Sequence, residues 1–256
     1  MSSVRRGQMG VRFAIVDWTA LAPGLAARTD WQAWSRAPQR PEGALEAKLD
    51  AMPAMQRRRL NPLGRAAAQA AWDCHSPDGQ TPVVFASGYG DAQRCLQLLK
   101  EFAASGEASP TDFALSVHNA IGAMYSIARG DGASYSSVAA GAASAAAGVL
   151  EACALLAQGA SEVLLVCYES PLPGEYGAFE REPQCPYAWA WRIAPAQDGR
   201  PHFSLAWTDA ADADSKEAVD GDGLPFGLES LRFAISSDAQ LCARAEGTRW
   251  TWSRHA

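Results

Sequence analysis

Residues 139–158 read AAGAASAAAGVLEACALLAQ, and this stretch decides the fold. Alanine, leucine and glutamate favour helix, and almost every residue in it is small or apolar. A helix that is apolar on all sides belongs in the interior of a protein. Because β-rich sequence flanks it at 133–138 and at 162–168, the segment is predicted to form a strand–helix–strand unit. Such units build sheets whose strands run largely parallel.

The sequence on either side of this unit supports an α/β fold. Short apolar runs predict further strands at 11–17, 81–87, 187–193, 202–208 and 231–236. Helices are predicted at 62–72, 95–104 and 116–128. An acidic surface loop is predicted at 209–223. With no internal repeat and no domain boundary, residues 1–256 are expected to form a single domain, in which 170–256 is a divergent extension that covers the sheet.

The composition is that of an ordinary globular protein, with 48% hydrophobic and 20% charged residues. A formal net charge of -6 argues against nucleic acid or anionic membranes as partners. No window approaches the roughly 18 apolar residues of a membrane span, and no signal peptide is evident, so the protein is expected to be cytoplasmic. The six cysteines are scattered without CxxC spacing, so neither a metal site nor a cofactor is expected.

Three segments resemble the β-ketoacyl synthases of the thiolase-like fold. GASEVLLVCYES at 159–170 resembles the strand after the nucleophile helix, and GAASAA at 141–146 aligns with the motif around the active cysteine. SVHNAIGAMYSIARGDGASYSSV at 116–138 resembles the stretch before the nucleophile strand. The resemblance covers about residues 10–170. It implies an α/β thiolase-like fold with one N-terminal-type half, in which a central, mostly parallel sheet packs on a buried helix.

Two departures from the family imply that the chain has no catalytic residues of its own. Ala142 stands where the synthases have cysteine, and a methyl group cannot form a thioester. The family takes two catalytic histidines from a second thiolase-like half, which this chain is expected to lack. His202 and His255 follow the helix, but neither lies in a synthase-like motif.

The resemblance implies an inactive partner subunit of the kind called a chain-length factor. Such a chain would form a heterodimer with an active β-ketoacyl-ACP synthase and shape its acyl tunnel, with acyl carrier protein as an indirect partner. Aryl polyene or related polyketide, fatty-acid-like biosynthesis is the implied pathway. The strand at 133–138 would pair across the two-fold axis, with the helix at 116–128 beside the tunnel. The implied interface and tunnel residues are Ser116, His118, Asn119, Met124, Tyr125, Tyr135, Val138 and Ser144.

Two other interpretations remain open. Ser144 or a cysteine would be the nucleophile of a small acyltransferase or hydrolase on the same fold, although the sequence offers no assignable base. Alternatively, the chain would form a homodimeric scaffold without a synthase. For individual residues the structural interpretation is favoured. His118 and Asn119 are expected to have a capping or hydrogen-bonding role at the start of a helix, and Glu151 is expected to give structural support with a partner such as an arginine on its buried helix.

Overall fold

The computed structural model describes residues 9–76, 80–209 and 223–256, so the predicted loop at 209–223 lies almost wholly outside the described residues. Within these ranges the strands are β1 (Met9–Leu21), β2 (Val83–Ala86), β3 (Tyr135–Val138), β4 (Val163–Glu169), β5 (Tyr187–Pro195), β6 (His202–Asp209), β7 (Gln240–Ala245) and β8 (Thr248–His255). The helices are α1 (Arg28–Trp34), α2 (Ala54–Arg57), α3 (Pro62–Cys74), α4 (Ala92–Ser105), α5 (Pro110–Ser116), α6 (Ala120–Arg129), α7 (Ser144–Ala157) and α8 (Phe226–Ile235). A 3₁₀ helix spans Gly174–Phe179.

All eight strands join one sheet in the order β3-β2-β4-β5-β1-β6-β8-β7. The predicted strand–helix–strand unit is confirmed, since β3, α7 and β4 follow one another and both strands run parallel to β2. Every other neighbouring pair is antiparallel. The sheet is therefore mixed, and the prediction of a mostly parallel sheet was wrong. The C-terminal part, predicted to cover the sheet, supplies β5 to β8 to the sheet itself, with β5 lying between β4 and β1, and its helix α8 packs on one face.

Hydrophobic side chains cover both faces of the sheet, and β5 shows how its sequence divides them. Tyr187, Trp189 and Trp191 are buried on the face that packs against α7 and α8. Ala188 and Ala190 point to the opposite face, where α3 presents a run of buried alanines. Successive side chains of a strand alternate between faces. Alanine against alanine lets α3 lie close to the sheet, and each large aromatic ring buried opposite contributes on the order of 3 kcal/mol.

The central helix α7 begins at Ser144, several residues later than the composition of 139–158 predicts. Gly141 has a φ of 53°, so the chain turns before it can become helical. In the first half of the helix, a Cβ on Gly148 would come within 2.6 Å of Leu165 Cδ1, so this glycine sets the distance between helix and sheet. The second half is not enclosed on every side, because Ala154 is exposed.

The other differences from prediction concern short elements. Residues 231–236 end α8, so the strand predicted there was wrong. So short an apolar run does not distinguish the period of a strand, about 2 residues, from that of a helix, about 3.6 residues. The helix predicted from Ser116 begins at Ala120, since α5 ends at Ser116 and a turn at 117–119 separates the two helices. The β7–β8 hairpin was not predicted, because its turn, Glu246-Gly247, lacks the Asn-Gly or Asp-Gly pair typical of such turns.

Candidate functional site

A tight turn joins β3 to α7 and places Ala142 just ahead of the helix. The Ser144 hydroxyl accepts a hydrogen bond from the Ala140 amide at 3.0 Å and donates one to the Gly141 carbonyl at 2.7 Å. The first residue of the helix thus fixes the turn that precedes it. This arrangement leaves the backbone amide of Ala142 to an acceptor from elsewhere in the chain.

Within the described residues, no side chain at this turn has the surroundings of a nucleophile. Ala142 ends in a methyl group, and the Ser144 hydroxyl, on a residue only 3% exposed, bonds to backbone atoms instead of a base. Burial raises the pKa of Cys153 and Cys185 to about 12 and that of Cys167 well above its usual range. Protonated thiols are poor nucleophiles. This geometry gives no support to an acyltransferase or hydrolase that uses Ser144 or one of these cysteines.

Glu246 brings a carboxylate to the turn from a distant part of the sequence. Its Oε1 accepts a hydrogen bond from the Ala142 amide at 3.2 Å. Its Oε2 accepts one from Arg181 Nη1 at 3.0 Å. Glu246 also has a φ of 52°, a left-handed conformation that is uncommon for residues other than glycine. This contact was not predicted, because Ala142 and Glu246 are 104 positions apart in the sequence.

Two further carboxylates near the turn have raised pKa values. Burial raises the pKa of Glu169 to about 8, although hydrogen bonds from the Gly88 amide and the Ser87 hydroxyl act in the opposite direction. Glu169 keeps part of its surface exposed, but its carboxylate contacts Ser87, which is fully buried. Burial likewise raises the pKa of Glu182 to about 7, against a hydrogen bond from the Phe226 amide. The sequence signal for Glu169 is its position directly after the apolar run of β4.

His118 and Asn119 lie between α5 and α6, beside the bend that follows β2. The Nε2 atom of His118 is 2.9 Å from the Ser87 carbonyl oxygen, which requires the proton to be on that nitrogen. A Cβ on Gly90 would lie 3.0 Å from the His118 ring, so the two are in close contact. Asn119 occupies the N-cap position of α6 but makes no side-chain capping bond. His118 therefore holds the bend after β2 through a backbone carbonyl.

The remaining predicted interface and tunnel residues divide between surface and core. Ser116 ends α5, and Tyr135 and Val138 lie on β3; all three are half-buried. Met124 and Tyr125 are buried in the core that α3 and α6 form against the sheet. The structure therefore does not gather the predicted residues into one cavity of this chain.

A buried polar network lies behind α6. The Tyr125 hydroxyl is 2.7 Å from His75 Nδ1, and His75 Nε2 is 3.5 Å from Asp131 Oδ2. Burial is the main cause that lowers the pKa of His75, with the nearby charge of Arg129 acting in the same direction. The imidazole is therefore neutral in the folded chain at neutral pH, which suits a structural role.

Across 9–76, 80–209 and 223–256, no group of three or more His, Cys, Asp or Glu side chains is arranged to hold a metal ion. Over the same ranges, the helices are too short or too polar to cross a membrane. His202 and His255 stack on each other with ring centroids 4.7 Å apart, and pair across β6 and β8. The histidines of the C-terminal part thus form a contact within the sheet, on strands other than β3 and β4.

A sequence model described as the β-ketoacyl synthase N-terminal domain matches residues 31–253, most of the chain. The chain belongs to this β-ketoacyl synthase family. Its fold is accordingly the thiolase-like α/β fold predicted from the three resembling segments, with a mixed sheet. No match to a curated protein was found for this family member.

This β-ketoacyl synthase family member is similar to several solved structures. It matches a chain of the ketosynthase ApeO in complex with its chain length factor ApeC, from Xenorhabdus doucetiae, at 28% identity and a TM-score of 0.77, over 95% of this chain and 100% of that chain. It matches the ishigamide ketosynthase/chain length factor at 16% identity and a TM-score of 0.64, over 94% and 98%. Against ketosynthase twelve of the bacillaene polyketide synthase from Bacillus amyloliquefaciens, identity is 13%, the TM-score is 0.54 and coverage is 82% and 47%. Its length is thus close to that of the matched chains in the first two structures.

Proposed function

We propose that this chain is the noncatalytic chain-length-factor partner of an active β-ketoacyl-ACP synthase. The observation that carries the proposal is Ala142, which puts a methyl group ahead of the central helix where the family has its nucleophile. The two similar chains support it, because both come from ketosynthase/chain length factor structures and match over nearly their whole length. Acyl transfer would then occur in the partner, and acyl carrier protein would reach the partner's active site.

The open edge of β3 supports pairing with another subunit. β3 is the end strand of the sheet, so its outer backbone groups have no neighbouring strand among the described residues. The hydroxyls of Ser136 and Ser137 on this strand are shielded from solvent and have no hydrogen-bond partner in this part of the chain. An open edge is a template for a strand of another chain. We therefore assign the synthase to this edge.

Exposed hydrophobic residues lie on the helices next to that edge. Phe113 on α5 is 60% exposed and Ile127 on α6 is 64% exposed. α6 contacts β3, and α5 contacts α6, so the three elements follow one another across the surface. Large apolar side chains beside an open strand are typical of a surface that another protein covers. We define β3 with α5 and α6 as the pairing face.

Co-expression with the ketosynthase of the neighbouring genes tests the pairing. The wild-type chain should co-purify with that synthase, and Ile127→Asp should reduce the yield of the complex at least about tenfold, because it buries an unpaired charge. Met55→Asp is the matched control, since Met55 is 77% exposed on α2, outside the pairing face. If the chain purifies as a homodimer and does not co-purify with the synthase, the result would support the scaffold interpretation and refute the proposal.

We further propose that the product is an aryl polyene or a related polyketide, and that the segment 116–125 forms part of the tunnel floor. Ser116 and Asn119 are the positions to enlarge, because both reach the surface. Ser116→Phe and Asn119→Trp should shorten the product made by the complex, as read by mass spectrometry. Met124 and Tyr125 are unsuitable probes, since enlarging a buried side chain disturbs folding. An unchanged product in both surface variants would remove the tunnel role and leave the pairing intact.

A further inference from the structure

We propose that Glu246 fills the vacated nucleophile position from within the chain, so that no acyl group or other anion can occupy it. The inference rests on the proposed function, because it describes how a noncatalytic subunit keeps its vestigial site closed. It concerns an internal contact, however, and its test needs neither the synthase nor a product.

The first support is the position of the carboxylate. Glu246 Oε1 accepts a hydrogen bond from the Ala142 amide at 3.2 Å, and a Cβ on Gly141 would come within 2.2 Å of that same oxygen. The carboxylate therefore lies against the backbone of both residues, in space that glycine at 141 leaves open. The start of α7 follows directly, and the positive end of a helix dipole favours an anion there. An incoming acyl oxygen or carboxylate would have to displace Glu246.

The second support is the way the side chain is held. Arg181 Nη1 donates to Glu246 Oε2 at 3.0 Å, so both carboxylate oxygens have a partner. The turn carries positive φ values of 52° at Glu246 and 70° at Gly247. A left-handed conformation costs a residue other than glycine roughly 1–2 kcal/mol, and asparagine or aspartate would fit this turn better. The chain thus keeps a glutamate where the backbone disfavours it, and only its longer side chain makes the contact with Ala142.

The third support is the charge around the site. Glu169 and Glu182 lie close enough to interact electrostatically with each other, and Glu182 also interacts with Glu246. Arg181 is the cation that faces this group, and it is already paired with Glu246. A second anion would therefore meet carboxyl groups and no free guanidinium from Arg181. The charge that a second anion would meet is chiefly that of Glu246 itself, because the raised pKa values of Glu169 and Glu182 leave those carboxyl groups partly protonated at neutral pH.

A cysteine introduced at position 142 reports on this contact. The full chain carrying Ala142→Cys is treated with iodoacetamide, and alkylation of each cysteine-containing peptide is followed by mass spectrometry. The double variant Ala142→Cys with Glu246→Asn is treated in the same way. Asparagine removes the charge and shortens the side chain, but it creates an Asn-Gly turn that favours the hairpin. Glu246→Gln removes only the charge. Glu180→Gln is the matched control, because Glu180 is exposed and precedes Arg181.

We expect slow alkylation of residue 142 in the single variant. A neighbouring carboxylate raises a thiol pKa by about one unit, which is offset in part by higher thiolate reactivity, so Glu246→Gln should accelerate alkylation about threefold. Glu246→Asn also opens the space and should accelerate it about tenfold, on the same grounds. Glu180→Gln should change nothing. Buried Cys167 and Cys185 become labelled if a variant unfolds, so a folding failure is recognised in the same spectrum.

Equal alkylation rates at residue 142 with and without Glu246→Asn, in chains whose buried cysteines stay unlabelled, would overturn the inference. So would a single variant that reacts as fast as a fully exposed thiol. Either result would leave the pairing with a synthase untouched, because that proposal is judged by co-purification. A variant that unfolds is replaced by Glu246→Asp, which keeps the charge, shortens the side chain and still suits the turn, with the same expectation of faster alkylation.

Discussion

Replacing Glu169 by glutamine tests whether the carboxyl group at the end of β4 holds a proton in the folded chain at neutral pH. Burial raises the pKa of Glu169 from an ordinary value of 4.5 to about 8. Glutamine has nearly the same shape, and its carbonyl oxygen can still accept the hydrogen bond from the Gly88 amide. The substitution therefore removes the titration while keeping the contact.

The sign and size of the effect follow from proton linkage. Because the pKa is higher in the folded state, the stabilisation is fully present below 4.5 and is lost as the pH rises through 8. The interval from about pH 6.5 to the pKa of about 8 is about 1.5 pH units, and each pH unit changes the unfolding free energy by about 1.36 kcal/mol. The wild-type chain should thus lose about 2 kcal/mol of unfolding free energy through this group between about pH 6.5 and about pH 9. The Glu169→Gln variant should not lose this contribution.

Urea unfolding followed by tryptophan fluorescence, at several pH values across that range, measures the difference. The stability of Glu169→Gln relative to wild type should rise by about 2 kcal/mol from the lowest to the highest pH. Glu180→Gln, at an exposed position, should follow the wild-type curve in parallel. If Glu169→Gln also runs parallel to wild type, the group is already ionised at neutral pH and the argument from burial fails.

Three further predictions, one of them with a matched control substitution, have defined outcomes. Because burial lowers the pKa of His75, its contribution to stability is lost as the pH falls below 6.5, and His75→Gln should flatten the acid side of the stability curve relative to wild type. Gly148→Val should lower stability by about 1–3 kcal/mol through its clash with Leu165, whereas Ala154→Val on the exposed part of α7 should change it little in thermal unfolding. Ala142→Cys should give no condensation activity in a ketosynthase assay, since the substitution restores the thiol but not the two catalytic histidines that the family takes from its second half; measurable turnover would contradict this.

The central strand–helix–strand unit could be predicted because its signals lie in residues that are neighbours in the sequence. The strand at 163–169, the helix that precedes it and the alternation of tryptophan and alanine in β5 are each written in neighbouring residues, and all were predicted. The family resemblance rested on the same segments. Strand direction was not predictable in this way, because it depends on connections such as the long excursion between β4 and β5, which returns the chain antiparallel.

The candidate site was predictable only at its centre. The missing thiol at Ala142 is visible in the sequence, but Glu246 and Arg181 reach the site through tertiary contacts between residues far apart in the chain. Periodicity and motif spacing describe residues close in sequence, so they carry no information about such contacts. The β7–β8 hairpin that carries Glu246 was also not predicted, since glutamate is uncommon in two-residue turns.

The aromatic rings of β5 give the chain a built-in optical reporter. Trp189 and Trp191 stack with ring centroids 4.2 Å apart, and Trp252 of β8 meets Trp191 edge-on at 6.2 Å. Chromophores this close couple their electronic transitions, and the resulting near-ultraviolet circular dichroism depends on fixed side-chain packing. Loss of that signal while the far-ultraviolet spectrum persists would mark the loss of fixed packing around these rings before the helices melt.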